Sequence, residues 1–170
     1  MLITLFTDAS HCAETHVAAY AAWAKADGRT VRRAGVLKEP VADSAIAEAQ
    51  ALVNGLCFVL AAFAPEVDSK IIAQTDCLAA IAALTGQLRK PKALVRFASV
   101  TAAYQTRIAA TGIAVEFRHV TAHKGVVTPR NAVNTWCDSE CRKLMRLARR
   151  AALSGLVPID RPLAGQSAAG

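Results

Sequence analysis

Residues 2–10 read LITLFTDAS. Ile3–Thr7 has the β-branched and aromatic make-up of a short strand, and the chain then runs straight into the carboxylate of Asp8. A buried carboxylate without a partner is expensive, so Asp8 either caps a turn or meets something cationic at the end of the strand. Residues 71–76, IIAQTD, repeat the pattern and end on Asp76. If these two strands lie side by side, both carboxylates come to neighbouring C-terminal ends, where open α/β sheets carry their chemistry.

The segments around this pair supply the rest of a mixed fold. Asp27-Gly28 marks a hairpin turn between strands predicted over Val17–Ala26 and Arg29–Leu37. Pro40 and Asp43 precede a helix over Ser44–Phe63, with Ile46, Val53 and Leu60 on one stripe and Leu52, Leu56 and Val59 beside it. Helices follow over Leu78–Thr85, ended by Gly86, and Ala93–Thr111, ended by Gly112. Residues 112–120, GIAVEFRHV, alternate as a strand that packs His119, and a last helix is expected over Thr135–Ala152. The order βββαβααβα describes one α/β domain with a five-stranded sheet over residues 1–152. Residues 153–170 hold few large apolar side chains and read as a flexible tail.

The 170 residues carry 20 Lys and Arg against 13 Asp and Glu, a net charge of +7. Cations gather in QLRKPK (Arg89, Lys90, Lys92) and in CRKLMRLARR (Arg142, Lys143, Arg146, Arg149, Arg150), which cannot all face the core, so several must face solvent; a polyanion such as nucleic acid suits these patches. No apolar run is long enough to span a membrane and no basic leader precedes the first strand, so neither a membrane partner nor secretion is expected. The five cysteines form no CxxC pair. Cys137 and Cys141 are spaced to share a helix face, but no second pair completes a tetrahedral site. Reduced, mostly buried thiols in a cytoplasmic protein are the expectation.

Two further acids stand in unusual places. Glu48 lies on the same stripe as Leu52 and Leu56, so it is either a surface residue on an alanine-rich turn or an acid aimed inward. Asp138 lies three residues before Cys141; it either closes a capping box with Thr135 or points to the core. Carboxylates crowded together raise one another's pKa unless a divalent ion shares them. An all-oxygen cluster favours Mg²⁺ or Mn²⁺ over zinc. With a basic surface, it suggests phosphodiester hydrolysis.

Five stretches in register, spanning Leu2 to Ala152, resemble the type 1 ribonuclease H family. ITLFTDAS resembles its first strand with a catalytic aspartate (Asp8), AIAEAQALVNGL its glutamate helix (Glu48), and IIAQTDCLAAI its fourth strand with a third acid (Asp76). VEFRHVTAHKG resembles the fifth strand and the loop of a catalytic histidine (His123), and NTWCDSECRKLMRLA the last helix with a fourth acid (Asp138). The resemblance implies two Mg²⁺ ions about 4 Å apart, with Mn²⁺ as a substitute. Asp8 bridges them, Glu48 and Asp76 complete the ion at the 3′ leaving oxygen, and Asp138 helps hold the ion that activates water. It also implies His123 as a proton shuttle, an RNA/DNA hybrid as substrate, 5′-phosphate and 3′-hydroxyl products, and a monomer.

Ala9 stands where the family usually has glycine, and AETHVAAYAAW replaces a glycine-rich second strand. A strand-specific nuclease must sense the 2′-hydroxyl. Ser10, Thr15, Gln50 and Asn54 are the polar candidates for this, with Arg89, Lys90, Lys92, Arg142 and Arg146 for phosphate. The alternatives are a nuclease of the same fold acting on DNA junctions or single strands, and a non-catalytic nucleic-acid-binding module.

Overall fold

The computed structural model describes residues 1–120 and 129–155. Strands β1 (Leu2–His11), β2 (Ala18–Ala26) and β3 (Arg29–Val36) form an antiparallel meander, followed by helix α1 (Ser44–Phe63) and strand β4 (Lys70–Thr75). Helices α2 (Leu78–Leu84) and α3 (Pro91–Arg107) come next, then a 3₁₀ turn at Ala109–Thr111, strand β5 (Ala114–His119) and helix α4 (Pro129–Leu153). The five strands form one mixed sheet ordered β3-β2-β1-β4-β5, with β4 parallel to both β1 and β5.

Alternation along β1 assigns the two faces of the sheet. Ile3 and Leu5 point to α1 and pack with Leu52, Leu56 and Val59, all fully buried. Phe6 points the other way and packs with Cys137 and Cys141 of α4. Between the helices, β2 offers Ala18, Ala19, Ala21, Ala22 and Ala24, each wholly buried, so both helices approach the strands closely. Gly55 of α1 makes the tightest approach: a Cβ there would meet Thr7 Cγ2 at 2.6 Å.

Helix α1 begins where the cap predicts. Asp43 accepts from the amides of Ala45 (2.9 Å) and Ile46 (3.1 Å), and Arg96 of α3 donates to its other oxygen at 2.8 Å. That arginine, together with the two amides, holds the Asp43 carboxyl below its usual range. By length and composition α1 could also span a membrane, although the sequence shows no uninterrupted run; half of it is buried, and it serves here as the core helix.

Three expectations change. β1 does not stop at Thr7 but continues through Asp8 to His11, because antiparallel pairing with β2 runs on to His11–Ala18. α4 begins at Pro129 rather than Thr135, since proline is well accepted in a first helical turn. Only Cys137 and Cys141 are buried; Cys12, Cys57 and Cys77 are half-buried, and all five are free thiols. Residues 156–170 of the expected tail lie outside the described residues.

Candidate metal centre

Strand register brings the first two acids together. β1 and β4 pair from Leu2–Lys70 to Phe6–Gln74, and the same register carried two residues further sets Asp8 against Asp76. There the parallel ladder has ended while β1 still pairs with β2, so Asp8 sits opposite Ala21, whose methyl leaves the carboxylate room. Glu48 reaches the same point from the second turn of α1. Asp138 is the tenth residue of α4, well inside the helix. It therefore caps nothing, and the box with Thr135 is excluded.

Two clusters result, sharing Asp8. One carboxylate oxygen each from Asp8, Glu48 and Asp76 lie within 4.8 Å of one another, as do ligand atoms of Asp8, Asp138 and Cys141. Asp8 is 7% exposed and Glu48 9%, while Asp76 and Asp138 are half-buried. Burial, then the charge of Asp76, raises the Asp8 carboxyl to about 6. Burial, then the charge of Asp8, pushes Glu48 well above the usual carboxylate range. The Ala9 amide donates to both, at 2.8 Å to Asp8 Oδ1 and 3.1 Å to Glu48 Oε1.

Glu48 Oε2 is buried and has no hydrogen-bond partner among the described residues. An orphaned carboxylate oxygen among other carboxylates is destabilising, and a divalent cation answers both defects. The first cluster is all oxygen, which suits Mg²⁺ or Mn²⁺. Asp138 Oδ1 accepts from Arg142 Nε at 2.8 Å.

Other predicted residues are more scattered. Ser10 is half-buried on β1, two residues past Asp8 on the same face, and Thr15 is half-buried in the turn after β1. Gln50 and Asn54 do not belong to the acidic clusters. They line a groove of about 830 Å³ with Arg33, Lys38, Ser99 and Arg107. Arg89 and Lys90 are exposed between α2 and α3 and Lys92 in the first turn of α3, and Arg89 donates to the Gly86 carbonyl. Arg142 and Arg146 are exposed on α4, Arg142 in its pair with Asp138. His123 lies outside the described residues.

Sequence reasoning missed two neighbours of the acids. His119 is exposed rather than packed, and its Nε2–H donates to the Asp76 backbone carbonyl at 3.0 Å, which steadies the loop that carries this acid. Cys141 stands beside Asp8 and Asp138. Its spacing of three from Asp138, one helical turn, was the available signal.

No protein-family model and no curated protein matches the sequence. Solved structures do match it. An RNase H1 obtained from compost by a metagenomic approach and crystallised with an RNA/DNA hybrid superposes with TM-score 0.62 at 16% identity, over 86% of this chain and 99% of the other. The N-terminal RNase H domain of a Mycobacterium tuberculosis protein, solved as a fusion with maltose-binding protein, gives 0.60 at 17%, over 89% and 98%. RNase H1 from the halophilic archaeon Halobacterium salinarum gives 0.53 at 16%, over 87% and 100%. The chain has the ribonuclease H fold.

Proposed function

We propose that this ribonuclease H-fold chain is an endonuclease that hydrolyses the RNA strand of RNA/DNA hybrids with Mg²⁺. One observation carries the reading: three acids, Glu48 of α1, Asp76 at the end of β4 and Asp138 of α4, converge on Asp8 of β1, with a buried Glu48 oxygen left unpartnered among them. Such an arrangement is poor for stability and good for holding divalent cations.

Asp8, Glu48 and Asp76 would hold one ion, and Asp8 with Asp138 a second; Mn²⁺ is the expected substitute. Bound there, such ions would lower the pKa of a bound water and offset the charge that develops on the phosphate and the leaving oxygen. Asp8 is the common ligand, so its rigid seat on β1 fixes both positions. The Ala9 amide orients Glu48, and His119 braces Asp76 through its carbonyl. His123 is proposed as the group that passes a proton at the attacking water or the departing product. Ser10 and Thr15, near Asp8 along the chain, are the proposed sensors of the 2′-hydroxyl, and the exposed cations of α4 and of residues 89–92 are the proposed phosphate contacts.

Incubation with Mg²⁺ and labelled RNA/DNA, RNA/RNA, DNA/DNA and single-stranded RNA tests the reading. Cleavage confined to the RNA strand of the hybrid, lost in D8N, is the expected result. Preferential cutting of a DNA substrate moves the chain to another nuclease of this fold. Binding of nucleic acid with no turnover makes it a binding module.

A further inference from the structure

The second acidic cluster differs in kind from the first. Its third member is a sulfur: Cys141 Sγ lies within 4.8 Å of ligand atoms of both Asp8 and Asp138. The thiol is buried against Phe6 and Ala21 and faces the carboxylates from one turn beyond Asp138 on α4. It hydrogen-bonds only weakly, donating to the Asp138 backbone carbonyl at 3.2 Å, and this contact holds the sulfur on the Asp138 side of the helix. The shared ligand Asp8 joins this cluster to the nine-tenths buried Glu48, whose Oε2 has no hydrogen-bond partner among the described residues, so the whole centre is short of cationic charge.

We propose that Asp8, Asp138 and Cys141 form a mixed oxygen–sulfur site that takes a thiophilic divalent cation, of the zinc and cadmium class, through a bond to Cys141 Sγ. A zinc-class ion holds carboxylate oxygen at about 2.1 Å and thiolate sulfur at about 2.3 Å, so two of its donors stand at most about 4.4 Å apart. The ligand atoms of Asp8, Asp138 and Cys141 all lie within 4.8 Å of one another, close to that limit. On binding, the Cys141 S–H bond breaks, a sulfur–metal bond forms, and the proton passes to solvent.

Chemistry then separates two classes of ion at one place. A hard ion such as Mg²⁺ prefers oxygen and sheds its waters reluctantly, so it takes the carboxylates and leaves the sulfur aside. A soft ion bonds the sulfur as well. The carboxylates that oppose a bare thiolate favour a thiolate with a dication attached.

This inference rests on the reading of Asp8 and Asp138 as facing a metal, but not on cleavage. The test is titration of Cd²⁺ into the full chain, without Mg²⁺ or nucleic acid and under a phosphine reductant, read as the ultraviolet thiolate-to-cadmium charge-transfer band. The band is expected to saturate at one ion per chain and to vanish in C141S and C141A. It should persist in C12S, C57S and C77S. D138N, which keeps every thiol, should weaken Cd²⁺ binding by about tenfold, no less than the loss typical of an outer-sphere partner. No band in the wild type, or an unchanged band in both Cys141 variants, overturns the proposal. Hybrid cleavage with Mg²⁺ but no band sinks this inference alone; a Cys141-dependent band without cleavage upholds it and sinks the nuclease reading.

Discussion

The Ala9 amide donates to Glu48 Oε1 at 3.1 Å, linking strand β1 to helix α1 across 39 residues of chain. The same amide serves Asp8 at 2.8 Å, so one N–H is divided between two carboxylates. The shared donor does not satisfy them, and both hold their protons more tightly than free side chains do.

Stability should therefore fall as pH rises. With Asp8 raised from 3.8 to about 6, the folded state binds more protons than the unfolded chain between those values. The stabilisation is complete below pH 3.8 and is lost as pH passes about 6. For Asp8 this amounts to about 3 kcal/mol at most, with Glu48 acting in the same direction. D8N is expected to melt several degrees above the wild type at pH 8 in the absence of divalent ions, with the gap closing towards pH 4. Calorimetry across that range is the check; a D8N protein less stable at pH 8 would refute it.

Divalent ions should reverse the same defect. At a hundredfold excess over its dissociation constant, Mg²⁺ or Mn²⁺ stabilises the fold by about 2.7 kcal/mol. The rise in melting temperature should be larger at pH 8 than at pH 5, because protons compete for Asp8 and Glu48. E48Q should reduce the rise and D8N abolish it. An equal rise in all three proteins would mean that the ion binds elsewhere.

G55A tests the close approach of α1. The added methyl would lie 2.6 Å from Thr7 Cγ2. Overpacking of this kind costs about 1–3 kcal/mol, against the gain of up to about 1 kcal/mol that alanine offers a helix over glycine. The variant should lose stability, and the displaced helix should lengthen the Ala9–Glu48 contact and lower the affinity for Mg²⁺. T7S removes the methyl that clashes, so T7S/G55A is expected to recover both. Chemical denaturation and Mg²⁺ titration read the two effects.

The cations of α4 are not equivalent. Arg149 pairs with Glu14 at 2.6 Å and Arg142 with Asp138, whereas Arg146 takes part in neither of these pairs. Affinity for a hybrid should fall with salt at a slope of about 0.9 per phosphate contact. R146A should reduce that slope by about one, and R149A by less. Binding measured over a range of KCl concentrations separates them, and equal slopes for both variants would contradict the assignment.

The bounds of α1 were legible because the Asp43 cap and an apolar stripe of helical period coincide at Ser44–Phe63. The acids were legible as misfits, hydrophilic residues where a core was due. Their neighbours were not. Nothing local in LITLFTDASH tells β1 to continue past Asp8; the reason is the length of β2, which is a tertiary fact. GVVTPRN has the composition of a loop, yet Pro129 opens a helix. Gln50 and Asn54 share the Glu48 helix but face a different groove, since residues two and six positions further on a helix point to the opposite side. Cys141 was read for its partner Cys137, one turn back. What matters is its distance from Asp8, on a strand more than a hundred residues earlier.

The alanines of β2 bear on how the centre can move. Alanine has no χ angle, so it loses no rotamer freedom on folding and has none left to use afterwards. The side chain paired with Asp8 is Ala21, and its neighbours Ala19, Ala22 and Ala24 are equally buried. A scaffold floored with longer side chains could absorb an incoming ion or phosphate by changing rotamers one at a time. Here the residue opposite Asp8 cannot repack. Any adjustment at that position must come from a shift of the strands themselves, as in a hinge rather than a cushion.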